Sequence, residues 1–334
     1  MNKELLTVLK AAFEGKAVAN FSTEDTNTAA VKGIMEACGL NENSTARELR
    51  EKEAMAFALI EEAIDEVLPK KLENVLGQFA EVKTFGRDDE VVFNIEKIGK
   101  NRAKLTISKG ARGGIYRAAK LDSKHFSLGT EVYTVAVYTT LEDIILGRSS
   151  LGELYANVLE GMEEIVYKEV FNALATSAPA VGGHNKKTNT APADLAKTID
   201  AVAPIVKQYG VPTIFGSYSA LQNLDNKIAT SVYPEADKDD VRNYGFVQIY
   251  KGMRVVELPN YLVDNGNTEW FYDDNYVFVI PSDAKPVKVA LRGDLYIQRN
   301  TAAVGSEKWE AHKMMGVGVA MANNYSVIEL TKSN

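Results

Sequence analysis

The residue types that most often carry enzymatic or metal chemistry are few and scattered in this sequence. His125, His184 and His312 lie far apart, and none has metal-ligand spacing to an acid or to another histidine. Because histidine is also a general hydrogen-bonding side chain, each is interpreted in that ordinary role. Cys38 is the single cysteine, which excludes an intrachain disulfide and a cluster of thiolate ligands and favours a reducing compartment.

Two short motifs approach known functional patterns without completing them. Residues 215–220, Phe-Gly-Ser-Tyr-Ser-Ala, follow a predicted strand but lack the second glycine of a nucleophile elbow, and no histidine can be assigned as triad partner. Residues 110–114, Gly-Ala-Arg-Gly-Gly, lack the Lys-Ser/Thr pair and the helix of a Walker phosphate loop. The first pattern disfavours an esterase, and the second is typical of a hairpin turn.

Adjacent acids occur at residues 239–240 and 273–274, both in turn-like contexts. Neighbouring residues do not face each other across a substrate, so a solvated loop explains these pairs better than a general acid and base. We therefore assign no catalytic, cofactor-binding or metal-binding residue, and we expect neither enzymatic activity nor a cofactor.

The overall charge limits the partners that this chain can have. A formal net charge of -7 and a pI near 5.3 argue against a dedicated nucleic-acid binder, because such proteins collect lysine and arginine to neutralise phosphates. Any contact with DNA should be weak and non-specific. Charges interrupt the opening residues 1–20, so no signal peptide or membrane span is predicted, and the protein is expected in a cytoplasm.

The N-terminal part reads as an arm of helices over residues 1–80. Thr45 and Glu48 form a capping box that predicts a helix from there to Pro69. Its apolar residues recur every three or four positions and make one stripe, which needs a partner surface. The stripe comprises Leu49, Ala56, Ile60, Ala63, Ile64, Val67 and Leu68, with Ile60 and Ile64 proposed as its packing residues.

From Phe85 the apolar period changes to two, which predicts strands around Val91 to Ile95 and from Val132 to Tyr138. The intervening segment Lys97 to Lys124 holds nine basic residues and one acid, a net charge of +8. Its glycines supply turns and little hydrophobic anchoring. We interpret it as a long, projecting basic hairpin.

A second capping box at Ser150 and Glu153 opens a helix of about 25 residues, roughly 37 Å long, which ends before Pro179. An exposed loop with Lys186, Lys187 and Asn189 should follow, and then a helix from Leu195 to Tyr209. Further predicted elements are a strand at 212–215, a helical turn at 218–224, and strands at 253–258, 270–272, 276–280, 287–291, 314–322 and 327–330.

The order of these parts resembles that of tailed-bacteriophage major capsid proteins, which share the Hong Kong 97 fold. Residues 134–146 running into 150–175 look like the junction between a peripheral-domain strand and the spine helix. Residues 195–224 before the strand at 252–256 are similar to the axial domain, and residues 308–322 resemble the long closing strand.

The resemblance implies an α+β, Hong Kong 97-type capsid fold with a helical arm, an extended β-hairpin (E-loop), a peripheral domain with a long spine helix, and an axial α/β domain. The corresponding predicted boundaries are 1–80 for the arm, 81–130 for the E-loop, 131–192 for the peripheral domain with its spine helix at 150–176, 193–300 for the axial domain, and 301–334 for the closing strands.

The implied function is that of a major capsid protein which self-assembles into the icosahedral head shell around phage double-stranded DNA. Expected partners are further copies in hexamers and pentamers, portal and scaffold proteins, and weakly bound packaged DNA, with no membrane. The expected location is the virion, after assembly in the bacterial cytoplasm. Two alternatives stay open: an encapsulin-type nanocompartment shell, although such shells generally lack an arm like Met1 to Gln78, and an unrecognised α/β enzyme.

The resemblance also places the basic hairpin across the peripheral domain and spine of an adjacent subunit. Residues 141–170 carry seven acids and two basic residues, a net charge of -5, so opposite charges would meet there. The predicted contacts join Lys109, Arg112, Arg117 and Lys120 of one copy to Glu160, Glu163 and Glu164 of the next. The alternative is that the basic residues only keep a loop soluble or touch packaged DNA.

Overall fold

The computed structural model describes residues 33, 36–39, 46–95, 124–140, 151–177, 185–225, 243–258, 260–263, 266, 268, 270–281, 285–303, 306–320 and 324–331. The helices are α1 (Ala46–Leu76), α2 (Leu151–Ser177), α3 (Leu195–Val206) and α4 (Tyr218–Gln222). The strands are β1 (Ala80–Phe85), β2 (Val92–Ile95), β3 (Lys124–Ser127), β4 (Glu131–Thr140), β5 (Lys186–Thr190), β6 (Pro212–Gly216), β7 (Ile249–Tyr250), β8 (Met253–Glu257), β9 (Tyr276–Pro281), β10 (Val287–Ala303), β11 (Ser306–Val319) and β12 (Ser326–Leu330). None of these helices is long and apolar enough to cross a membrane.

A four-stranded sheet in the order β1-β10-β11-β4 forms the first layer. β10 and β11 make a long antiparallel hairpin at its centre, β1 runs parallel to β10, and β4 runs antiparallel to β11. Alternate side chains such as Val289, Ala311 and Met315 point to one face and join the core, and α1 and α2 cover that face. The sheet is therefore buried on one side.

Helix α1 confirms the predicted helix but continues past its predicted end. The helix runs through Pro69 to Leu76, although proline lacks the N–H that would bond the preceding turn and costs about 3 kcal/mol in a helix interior. Leu72 and Leu76 lie beyond the proline and are fully buried, which stabilises the extra turns. Ile60 and Ile64 are 1% and 0% exposed and pack in the core of the same chain.

Helix α2 confirms the predicted long helix, with 27 residues. Val158, Met162, Val166 and Val170 are spaced along one stripe and are buried in the core. Gly161 lies within this helix, at a position where a Cβ atom would be 2.9 Å from Val135 Cγ1 of β4. Glycine thus lets the helix approach the sheet closely.

The second layer is a six-stranded sheet in the order β5-β12-β9-β6-β8-β7. Its central strands are buried on both faces, because α3 and α4 cover one face while the other joins the core of the first layer. The continuous apolar run of β9 reflects this two-sided burial.

Two predicted local structures were wrong. Residues 186–190 are the edge strand β5, paired with β12, and not a loop, because an edge strand tolerates exposed polar and charged side chains. Residues 270–272 are not a strand among the residues that the structure describes there. Within the described part of this segment, an isolated bridge joins Leu262 and Trp270.

The boundary predicted between residues 300 and 301 does not follow the sheets. It falls inside β10, which belongs to the four-stranded sheet. Strand β12 in turn belongs to the six-stranded sheet, where it lies between β5 and β9. The position of a strand in a sheet depends on partners that lie far away in the sequence. The order of the elements along the chain therefore did not predict which sheet each strand joins.

Strands β2 and β3 pair in antiparallel fashion, with Ile95 opposite Lys124. Phe93 of this two-stranded base is buried against Ala290, on the sheet face opposite α1 and α2. A Cβ atom on Gly318 would lie 2.7 Å from Leu128, so glycine on β11 lets the base pack closely. The base is therefore anchored to the four-stranded sheet.

Candidate assembly surfaces

Two of the three histidines have hydrogen-bonding partners within the fold. His125 Nδ1 lies 2.9 Å from Asn94 Oδ1, and His312 Nδ1 lies 2.8 Å from Thr134 Oγ1. Within the described parts of the chain, no group of three or more His, Cys, Asp or Glu side chains could hold a metal ion. His184 lies outside the described residues, and Cys38 is buried.

The serines after β6 serve the fold of the second layer. Ser217 caps α4 by accepting a hydrogen bond from the Ala220 backbone, and it donates to the carbonyl of Asp274 at 2.8 Å. Ser219 donates to Asp274 Oδ2 at 2.7 Å. These contacts tie α4 to the turn before β9, and Asp274 is used there as a hydrogen-bond acceptor.

The three predicted acidic contacts on α2 do not form one free surface. Glu163 Oε1 pairs with Lys71 Nζ of α1 at 2.9 Å, and Glu164 accepts a hydrogen bond from the Tyr261 hydroxyl. Glu160 is exposed. The predicted basic contacts Lys109, Arg112, Arg117 and Lys120 lie outside the described residues.

An aromatic loop flanks this side of α2. The Tyr261 ring stacks on Phe271 with a centroid distance of 4.8 Å, and Phe171 of α2 stacks on Tyr272 at 3.8 Å. Burial first, then the bond to Glu164 and the charge of nearby Glu160, raise the pKa of Tyr261 well above its usual range. The contacts of Tyr261 with Glu164 and of Tyr272 with Phe171 therefore hold this loop against α2.

The open part of the four-stranded sheet lies on the face opposite the core. Tyr296 is 59% exposed and its ring stacks on that of His312, while Val132 is 58% exposed on β4. Thr134 and Ala136 are also exposed on this face. The base formed by β2 and β3 covers other positions of the same face, so this uncovered part is a candidate contact surface.

β4 also forms one edge of this sheet. It pairs with β11 at ten successive positions, from Met315–Glu131 to Ser306–Thr140. On its other side no strand pairs with it in the part of the chain that the structure describes. A long edge rich in valine, tyrosine and threonine, with one charged residue, is an uncommon feature in a protein that acts alone.

A buried polar contact that sequence analysis missed fixes α1 to the sheet. Between the pairs Arg292–Met314 and Tyr296–His312, β10 advances four residues while β11 advances two, which makes a bulge. Asp65 Oδ2 of α1 accepts a hydrogen bond from the backbone N–H of Leu295 at 2.8 Å.

Lys313, which is 3% exposed, completes this contact from β11. Its Nζ atom lies 2.5 Å from Asp65 Oδ1 and 2.5 Å from the carbonyl of Gly293. One turn earlier in α1, Glu61 Oε1 accepts a hydrogen bond from the N–H of Ile297 at 2.6 Å. The spacing of Glu61 and Asp65 beside the apolar stripe was the available signal, but such acids usually face solvent.

Comparisons with known proteins identify structures with a similar fold. A search of curated proteins finds no match. Among solved structures, chains of the satellite phage P4 procapsid, the cyanophage P-SCSP1u capsid and Microbacterium phage Oxtober96 are similar. Their TM-scores are 0.56, 0.53 and 0.52, and their sequence identities are 8%, 13% and 16%. The matches cover 81%, 77% and 77% of this chain and 92%, 88% and 90% of those chains. The predicted Hong Kong 97-type fold is confirmed.

A family model described as "SPbeta prophage-derived putative capsid protein YonB" matches residues 3–329. The match spans α1, both sheets and most of the final strand, and it agrees with the fold of the phage capsid structures. The chain belongs to this family, and it is a phage capsid protein.

Proposed function

We propose that the chain is the repeating subunit of an icosahedral head shell that encloses double-stranded phage DNA and performs no catalysis itself. The observation that carries this proposal is the family match over residues 3–329, nearly the whole chain. Hexamers and pentamers of the subunit would build the shell in the bacterial cytoplasm with portal and scaffold proteins. Packaged DNA would make weak, non-specific contacts, as the net charge of -7 suggests.

The surfaces described above support a protein that binds copies of itself. Exposed large apolar side chains occur on both layers, for example Val132 and Tyr296 on the first and Ile249 and Trp270 on the second. Among the described residues that were considered for chemistry, His125, His312 and the serines after β6 make contacts within the fold. These features favour subunit interfaces over an active site.

Within this function, the basic segment 97–124 contacts acidic residues of an adjacent subunit. The segment carries +8 while the rest of the chain carries -15, so opposite charges can meet between copies. Of the three acids predicted on α2, Glu160 is the one that is exposed. Each exposed pair contributes about 0 to 1 kcal/mol, so repetition around the shell gives the contact its effect.

Expression in bacteria, with and without a scaffold protein, followed by gradient centrifugation and electron microscopy tests the shell proposal. We expect closed icosahedral particles that sediment far faster than the 36.6 kDa subunit. A folded protein that stays monomeric under every condition would contradict the proposal. Particles that enclose an enzyme and exclude DNA would instead support a nanocompartment.

Charge reversal tests the contact between subunits. Changing Arg112, Arg117 and Lys120 to glutamate should abolish shells, and adding Glu160→Lys should partly restore them. Glu163 and Glu164 are left unchanged because their contacts lie within the chain. Lys197→Glu, at an exposed position on α3, is the control. Normal shells from the triple variant would show that the basic residues serve another purpose, such as contact with DNA.

A further inference from the structure

Two carboxylates of helix α1 bind backbone N–H groups of β10 just beyond the point where β1 ends. β1 pairs with the first part of β10, up to Arg292. Further along β10, the N–H of Leu295 donates to Asp65 Oδ2 at 2.8 Å, and the N–H of Ile297 donates to Glu61 Oε1 at 2.6 Å. Side chains of α1 therefore supply acceptors where β1 no longer does.

The two donors lie on the side of β10 that faces away from β11. Successive N–H groups of a strand point to opposite sides, so groups two residues apart point to the same side. The N–H groups of Tyr296 and Gln298 therefore point toward β11, where these residues pair with His312 and Glu310. In the sheet order β1-β10-β11-β4, the other side of β10 is the one that β1 occupies. The two carboxylates thus lie where a further strand would place its backbone acceptors.

The charges at this position oppose pairing with another strand. Hydrogen bonds from an N–H to an ionised carboxylate are about twice as strong as those to a neutral acceptor, so an incoming carbonyl would have to displace strong partners. Lys313 pairs with Asp65, while the charges of Asp65 and Asp294 both act on Glu61. The carbonyl oxygens of an incoming strand would therefore meet negative charge. Charged side chains that point inward at an edge are a known means of preventing such pairing.

This part of β10 would otherwise be well suited to pairing between molecules. β10 has 17 residues, whereas β1 has six and covers only its beginning. The sequence Leu-Tyr-Ile-Gln at 295–298 is rich in residues that favour strands. Edges with these properties pair readily with another chain unless a charge, a bulge or a covering element prevents it. Here a bulge that contains Gly293, with a φ of 65°, precedes the two donors, and α1 supplies the charges.

We propose that Glu61 and Asp65 form an edge guard, an autoinhibitory contact that keeps residues 295–298 of β10 from pairing with a strand of another copy. The guard acts in the unassembled subunit, where backbone pairing between copies would produce irregular aggregates. It does not depend on the proposed shell function. The two acids therefore determine how copies associate, in addition to their effect on the stability of the fold.

A matched pair of variants separates the loss of the acceptors from the loss of the charges. The open-edge variant carries Glu61→Leu, Asp65→Leu and Lys313→Met, and the guarded variant carries Glu61→Gln, Asp65→Asn and Lys313→Met. Both remove the same three charges, and Lys313→Met avoids leaving a buried amine without its partner. Only the guarded variant keeps side-chain oxygens that can accept from the N–H groups of β10.

Size-exclusion chromatography, infrared spectroscopy and electron microscopy of the purified subunits measure the outcome. We expect the open-edge variant to form irregular oligomers with the infrared band of strands paired between molecules, and the guarded variant to behave like the parent. Leucine at Glu62 and Glu66 of the same helix is the control for added apolar surface and should also behave like the parent. An open-edge variant that does not associate, or a guarded variant or control that associates equally, would overturn the proposal.

The single change Glu61→Leu keeps the Asp65–Lys313 pair and provides the test if the open-edge variant does not fold. It should give the same association to a smaller extent. Hydrogen exchange read by mass spectrometry should show the amide of Ile297 exchanging about 10-fold faster in this variant and unchanged in Glu61→Gln. Rapid exchange of Leu295 and Ile297 in the folded parent, or a Glu61→Leu subunit that stays dispersed, would overturn the guard. A parent protein that forms no shells would overturn only the proposed function.

Discussion

The contact between Asp65 and Lys313 is predicted to be a large single polar contribution to the stability of the subunit. Asp65→Asn removes the charge that faces Lys313, whose amine is almost completely buried between α1 and the bulge of β10. Leaving a buried charge without its partner costs about 3 to 5 kcal/mol. For a chain of this size that corresponds to a drop of about 4 to 7 °C in the unfolding midpoint.

The reciprocal change should cost much less. Lys313→Met replaces the buried amine with an apolar side chain of similar length, while Asp65 keeps its bond to Leu295 and its 22% solvent exposure. We expect a loss below about 2 kcal/mol, because the carboxylate that is left without its partner keeps a backbone donor and is partly exposed to water, so it is not an uncompensated buried charge. The double variant should therefore be more stable than Asp65→Asn alone.

Urea denaturation of the unassembled subunit, followed by circular dichroism, measures these differences. Lys197→Met removes an exposed lysine from α3 and should change stability by less than about 0.5 kcal/mol. The reasoning fails if Lys313→Met destabilises the subunit as much as Asp65→Asn does. A loss below about 1 kcal/mol for Asp65→Asn would show equally that solvent reaches the amine.

Three further outcomes are expected from denaturation experiments on the subunit. Burial raises the pKa of Glu61 above its ordinary value of 4.5, although the hydrogen bond from Ile297 opposes this shift. The protonated carboxyl therefore stabilises the folded subunit below pH 4.5. This stabilisation is lost as the pH rises through the higher pKa of the folded state. Glu61→Gln should therefore be more stable than the parent at pH 7, and this advantage should disappear in a titration to below pH 4.5. Gly161→Val should cost about 2 kcal/mol through its contact with Val135, and Val135→Ala in the same chain should recover part of that loss. Pro69→Ala should raise the free energy of unfolding by about 1 to 3 kcal/mol, because it restores an N–H inside α1. A higher urea midpoint would show this gain.

Local patterns in the sequence predicted the helices and their buried faces. Helix α2 was predicted because its apolar residues keep a regular spacing over seven turns, and residues such as Met162 and Val166 are buried as that spacing indicates. The same reasoning failed at Pro69, where the burial of Leu72 and Leu76 outweighs the local preference.

Long-range pairing was the part that the sequence did not reveal. The polar residues 186–190 form a strand only because β12, far along the chain, supplies a partner. The Asp65–Lys313 contact joins residues on α1 and β11 and depends on a bulge that no local pattern marks. The segment 97–124 was recognised by its charge, while its partner on a second copy stays a proposal.

The placement of the last strands has a consequence for the timing of synthesis. β10 and β11 are the two inner strands of the first sheet, so that sheet waits for residues 287–319, and in the second sheet β5 can join the other strands only through β12. A nascent chain on the ribosome therefore lacks the centre of the first layer until translation is nearly finished. Truncated products cannot present a completed β4 edge, because β11 must be in place to form it. Translation to near the C-terminus would thus act as a quality check that keeps incomplete chains out of a growing particle.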